Sequence, residues 1–105
     1  PIISPELKHA FYKCYVMLDL NHLKKDWSRD KIIYEINSRG VSCFSGSCPE
    51  IYLEKCYEQF SDIALPNAKA LGKESIMLTV HPSLTKKEIN QIKSAVKEVL
   101  LLASK

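Results

Sequence analysis

The sequence is poor in the features that mark most functional classes. No apolar run approaches the roughly 18–20 residues that a membrane span needs. Residues 1–13 show no basic stretch followed by an apolar one, so they do not read as a secretory signal. There is no initiator Met, and the chain is expected to be a piece of something longer. Only three glycines are present, and the one glycine between serines, in Ser45-Gly46-Ser47, lacks the Gly-Lys-Ser/Thr ending of a phosphate-cradling loop. No Gly-x-Ser-x-Gly nucleophile elbow occurs. The cysteines Cys14, Cys43, Cys48 and Cys56 form no Cys-x-x-Cys pair, and His9, His22 and His81 are widely separated in sequence. Neither a zinc site nor a disulfide framework follows from such spacing, and free thiols in a cytoplasmic protein are expected. The net charge of +3 is too small an excess to argue for nucleic acid.

What remains is the material of a small globular unit. With 105 residues there is room for one domain, residues 1–105, and one core. Apolar residues make up 46% and charged residues 26%, which excludes extended disorder, collagen and a coiled coil as descriptions of the whole.

Residues 11–18, FYKCYVML, are rich in aromatic and β-branched side chains and read as a strand. Tyr12, Cys14, Val16 and Leu18 share one face; Phe11, Lys13, Tyr15 and Met17 share the other. Both faces are largely apolar, which predicts a central position in the sheet. Residues 19–27 read as a loop, with Lys24 and Lys25 solvated. Ser28 is the N-cap of a helix, Asp30 suits its first turn, Ile32, Ile33 and Ile36 form its stripe, and Gly40 ends it. Val41 to Phe44 is a short second strand.

Ser47 and Glu50 are spaced as a capping box around Pro49, which predicts a helical turn or two over residues 51–57. Pro66 starts another short helix that Gly72 should end. Residues 74–80 are the third strand, closed by His81-Pro82. Thr85 and Glu88 form a second capping box, and Ile89, Ile92, Val96, Val99 and Ala103 mark the buried stripe of the last helix. The order β-α-β-α-α-β-α predicts an α+β domain, a small three-stranded sheet covered by helices on one face.

Little in these residues forms a self-sufficient active site. Cys48 stands beside an expected helix start, which would lower its thiol pKa. Tyr52 and Tyr57 flank Cys56 and suit packing, with their hydroxyls at a rim.

Several segments, taken in order, resemble the small C-terminal domain of DegT/StrS-family aminotransferases. Residues 11–20, FYKCYVMLDL, are similar to the strand that opens that domain. Arg29, Asp30, Ile36, Gly40 and Val41 match the family's Arg-acid, helix, Gly-Ile/Val segment. Residues 62–68, DIALPNA, resemble its Leu-Pro segment, and residues 77–85, MLTVHPSLT, its ending before a terminal helix. The resemblance implies the C-terminal domain of fold-type I aminotransferases, with a mainly antiparallel sheet. It implies a parent that uses pyridoxal phosphate and transfers an amino group, usually from glutamate, to a keto group on a nucleotide-linked sugar. The cofactor would be held by the parent's own large domain in a homodimer. The fragment alone would carry no catalytic residue, bind no cofactor or metal, and be inactive.

One stretch departs from the family. Counted from Gly40, Gly46-Ser47-Cys48 stands where many members have His-Tyr-Pro, and Glu50-Ile51-Tyr52 where they have Pro-Leu-His. The loop lies near the active site in the family, and Ser47 and Tyr52 are the candidate substrate-binding residues, as hydrogen-bond donors. A non-catalytic small-molecule-binding or interaction module is the competing reading.

Overall fold

Ser28 and Thr85 set the two main helices. The computed structural model, which describes residues 4–8, 10–46, 48–60, 62 and 64–105, places α1 at Arg29–Ser38 and α3 at Lys86–Ala103. The Ser28 hydroxyl accepts from the Lys31 N–H at 3.2 Å. Thr85 and Glu88 close a reciprocal capping box, the Glu88 carboxylate accepting from both the N–H and the hydroxyl of Thr85 at 2.7 Å. Before α1 come β1 (Cys14–Met17) and a 3₁₀ turn at Leu20–His22; between α1 and α3 lie β2 (Cys43–Phe44), 3₁₀ turns at Ile51–Leu53 and Lys55–Phe60, α2 (Pro66–Glu74) and β3 (Ser75–Leu78).

The sheet is antiparallel throughout and its order is β1-β3-β2. The α+β class read from the sequence is therefore the observed one. The central strand is β3, however, and β1 is an edge. Its apolar outer face is not buried here: Tyr15 and Met17 are 41% and 50% exposed. An apolar strand face shows what a strand can be packed against, and not how many neighbours it pairs with. The first strand is also shorter than residues 11–18, since Phe11 has φ +48°, which breaks extended backbone.

The pairing Val16↔Ile76, with Cys14 and Cys43 both opposite Leu78, puts one set of side chains on the helix-covered face. There Val16 and Leu78 pack against the core cluster, to which α1 contributes Ile32 and Ile36 and α3 contributes Ala95, Val99 and Ala103. The buried stripe of α3 thus runs through Ala95, and Ile89, expected inside, is 43% exposed. Alanine lets α3 come close to its neighbours, and the helix turns so that this small-residue line faces inward. Arg39 ties α1 to α3, reaching Glu35 at 2.8 Å and Glu98 at 3.2 Å.

Gly72 does not end α2. It sits inside the helix, where an added Cβ would run into the Pro49 ring. Lys24 is not merely solvated either: its ammonium donates to the Leu102 carbonyl at 2.8 Å and its N–H to the Ala103 carbonyl at 2.8 Å, satisfying carbonyls at the end of α3. The radius of gyration is 16.1 Å, against roughly 13 Å for a globular chain of this size. Residues 48–60 lie largely off the core, their two 3₁₀ turns packed chiefly on each other. No described helix is long and apolar enough to cross a membrane.

Candidate functional site

The chain leaves β2 over the outer sheet face. Gly46 makes this turn at φ +86°, and a side chain there would press on the Tyr15 ring and the Ser75 hydroxyl. Ser75, nearly buried, donates to the Ser45 carbonyl at 3.3 Å and fastens the start of the loop. Pro49 then rests against α2 at Gly72. From this anchored base residues 50–60 project outward.

Ser47, the first candidate residue, lies outside the described residues. Tyr52, the second, is half-buried, and its hydroxyl donates to the Glu50 carboxylate at 2.6 Å. That bond, followed by burial, raises the Tyr52 pKa above its usual value. Its hydroxyl proton is thus already committed to Glu50, while a hydrogen bond from the Leu65 backbone to the hydroxyl acts in the opposite, lowering sense. The donor expected at Tyr52 is here directed at Glu50. Glu50, expected at the third position of a helix, is instead the residue before the turn at Ile51 and makes no cap with its side chain. Sequence reasoning assigned Glu50 to capping and so missed its bond to Tyr52; the two-residue spacing was the available signal.

Tyr52 also borders a small open concavity of about 240 Å³ with Ile51, Tyr57, Phe60 and Leu65. Its lining is carbon, so it suits the apolar face of a ring better than a charged group. A sugar or base could stack there while the Glu50–Tyr52 pair sits at the edge. Cys48 is not activated. Its thiol donates to Glu54 at 3.4 Å, and this bond, with some burial, pushes its pKa up, whereas a helix start would have lowered it. Cys43 is buried and its thiol is raised by desolvation. All four cysteines are free thiols. Among the described residues no three His, Cys, Asp or Glu side chains gather as a metal site.

The chain is similar to a solved aminotransferase from Psychrobacter cryohalolentis, at 48% identity and a TM-score of 0.85. The match covers 90% of this chain and 25% of that one, so the chain spans about a quarter of that aminotransferase's length. The three-stranded α+β fold is accordingly that of one part of an aminotransferase. No protein-family model and no curated protein matches the chain.

Proposed function

We propose that residues 1–105 are the C-terminal small domain of a DegT/StrS-type aminotransferase that uses pyridoxal phosphate and transfers an amino group from glutamate to a keto group of a nucleotide-linked sugar. The observation that carries the reading is the 48% identity to an aminotransferase over nearly the whole chain. The ordered resemblance of residues 29–41, 62–68 and 77–85 supports the narrower family.

Pyridoxal phosphate needs a lysine amine and a carboxylate facing one enclosed site. The lysine-lined groove on α3, bordered by Lys93 and Lys97, has no carboxylate and is open. That groove therefore does not fit the group; in the smaller concavity that has both, Lys73 and Asp30, the cleft is also open and Asp30 pairs with Arg29, and in this reading the parent's large domain holds the cofactor, within a cytoplasmic homodimer. When bound, the cofactor supplies the electron sink of amino transfer.

The role of this chain is then to shape the rim. The loop 45–52 stands on rigid elements, β2 and α2, where binding residues concentrate. Ser47 and Tyr52 would contact the sugar, with Glu50 holding the Tyr52 side chain in place. The test is turnover by the full-length parent. Glutamate should be converted to 2-oxoglutarate when a nucleotide-linked keto sugar is supplied. Turnover of simple keto acids alone would discard the sugar substrate and leave the aminotransferase; no turnover of either would discard both.

A further inference from the structure

A long open groove of about 750 Å³ runs beside α3, on ground distant in sequence from the loop 45–52. Its floor is apolar: Leu78 from β3, with Ile92, Val96 and Leu100 from α3. Lys93 and Lys97 stand along its rim, and no carboxylate lines it. Neither lysine has an acidic partner within ion-pair distance among the described residues. Leu101, also on the groove, is 67% exposed.

We propose that this groove seats an acidic amphipathic helix contributed by the remainder of the same polypeptide. This rests on the reading that the chain is one domain of a longer aminotransferase. The shape argues for a helix. The lining follows one face of α3 from Asn90 to Ser104, a trough of about 21 Å at 1.5 Å per residue, the length of some four helical turns. Side-chain rows on such a face form ridges and grooves that a second helix fills.

Charge argues for the chemistry. Two unpaired ammonium groups four residues apart beside an apolar floor match an apolar stripe flanked by Asp or Glu. A basic or neutral helix would leave both lysines without compensation. Chain length argues for the source. The match spans only a quarter of the aminotransferase it resembles, so a polypeptide of that length brings three further quarters to the neighbourhood of this domain, at high effective concentration.

The experiment uses the full-length polypeptide with Leu101 replaced by the photo-reactive p-benzoyl-phenylalanine. Irradiation, digestion and mass spectrometry identify what lies against the groove. The expected product is an intramolecular cross-link to one peptide outside residues 1–105 whose sequence carries an apolar stripe with Asp or Glu at helical spacing. Adding Lys93→Glu and Lys97→Glu should cut the yield several-fold, while Lys93→Arg and Lys97→Arg should preserve it.

A cross-link to a second copy, to another protein or to no peptide overturns the proposal. So does a yield insensitive to charge reversal. Transaminase activity of the same preparation separates the two readings. An active aminotransferase with the wrong cross-link removes the groove assignment alone. The expected cross-link in a chain without that activity removes the functional reading alone.

Discussion

The side-chain amide of Asn37 pairs with both backbone groups of Cys43. Its Oδ1 accepts from the Cys43 N–H at 3.2 Å and its Nδ2 donates to the Cys43 carbonyl at 2.9 Å. Cys43 pairs with Leu78 across the sheet, and its N–H and carbonyl point the other way, toward α1. Asn37 thus occupies the place of a further strand and closes the β2 edge, which would otherwise present open backbone groups. The same Nδ2 reaches the Ile33 carbonyl at 2.9 Å, so α1 and the sheet are joined through one residue.

Asn37→Ala should therefore cost about 1–3 kcal/mol, the penalty of leaving partly buried backbone groups unpaired. Asn37→Asp, which keeps an acceptor but loses the donor, should fall between the two. Urea denaturation of the three proteins checks this, and equal midpoints would remove Asn37 from the edge-closing role.

Val99 and Ile89 are both apolar residues of α3, but their surroundings differ. Val99 is 0% exposed, while Ile89 lies outside the packed stripe. Val99→Asp should bring an unpaired charge into the core at several kcal/mol, out of a total of about 5–15 kcal/mol, and abolish cooperative unfolding. Ile89→Ser should stay within about 0.5 kcal/mol of the parent. Thermal melts followed by circular dichroism distinguish the pair; a large effect at Ile89 would mean that α3 is rotated from the described register.

Gly72→Ala would stabilise an ordinary exposed helix by about 0.8–1 kcal/mol. Here the new methyl meets the Pro49 ring, so the variant should be less stable than the parent. Relieving the contact with Pro49→Ala in the same chain should restore most of the loss. A double-mutant cycle reads the coupling directly, and simple additivity would show that loop and helix are independent.

The acid limb of stability should carry a signature of the α3 cap. Hydrogen bonds from the Thr85 hydroxyl, and then from its N–H, lower the Glu88 pKa below its usual 4.5. The carboxylate is favoured by the fold, so its contribution is present in full above pH 4.5 and fades as pH falls through the lowered value. Melting temperatures of the parent and Glu88→Ala should differ most near neutrality and converge in acid, apart from a pH-independent offset from helix propensity. A gap that widened as pH fell would contradict this sign.

Tyr52→Phe and Ser47→Ala, made in the full-length parent, should each lower kcat/KM for the keto sugar by about tenfold, the worth of roughly one hydrogen bond. Glu50→Gln should have a milder effect, since the amide oxygen still accepts from Tyr52. Unchanged constants in both Tyr52→Phe and Ser47→Ala, with stability intact, would leave the loop as a packing element.

The parts of this fold that were legible in sequence are those whose cause lies within a few residues. Ser28, Thr85 and Glu88 announce helix starts because a cap bonds an N–H two or three positions away. Alternation put Val16 and Leu18 on one face because successive strand side chains point to opposite faces, and that face is the one that meets the core. What the sequence concealed depends on partners far along the chain. The central place of β3 is a matter of long-range pairing with β1 and β2. Gly72 looked like a stop signal because the Pro49 ring that requires its missing side chain comes from a distant loop. Lys24 reads as solvent-facing until the chain folds back and brings the open carbonyl of Leu102, 78 positions onward, to its ammonium. The candidate site follows the same division. Gly46 and Pro49 mark an irregular loop locally, and the Tyr52 hydroxyl's donation to Glu50 spans only two residues, but the apolar wall of Tyr57, Phe60 and Leu65 beside it arises only when distant segments close together.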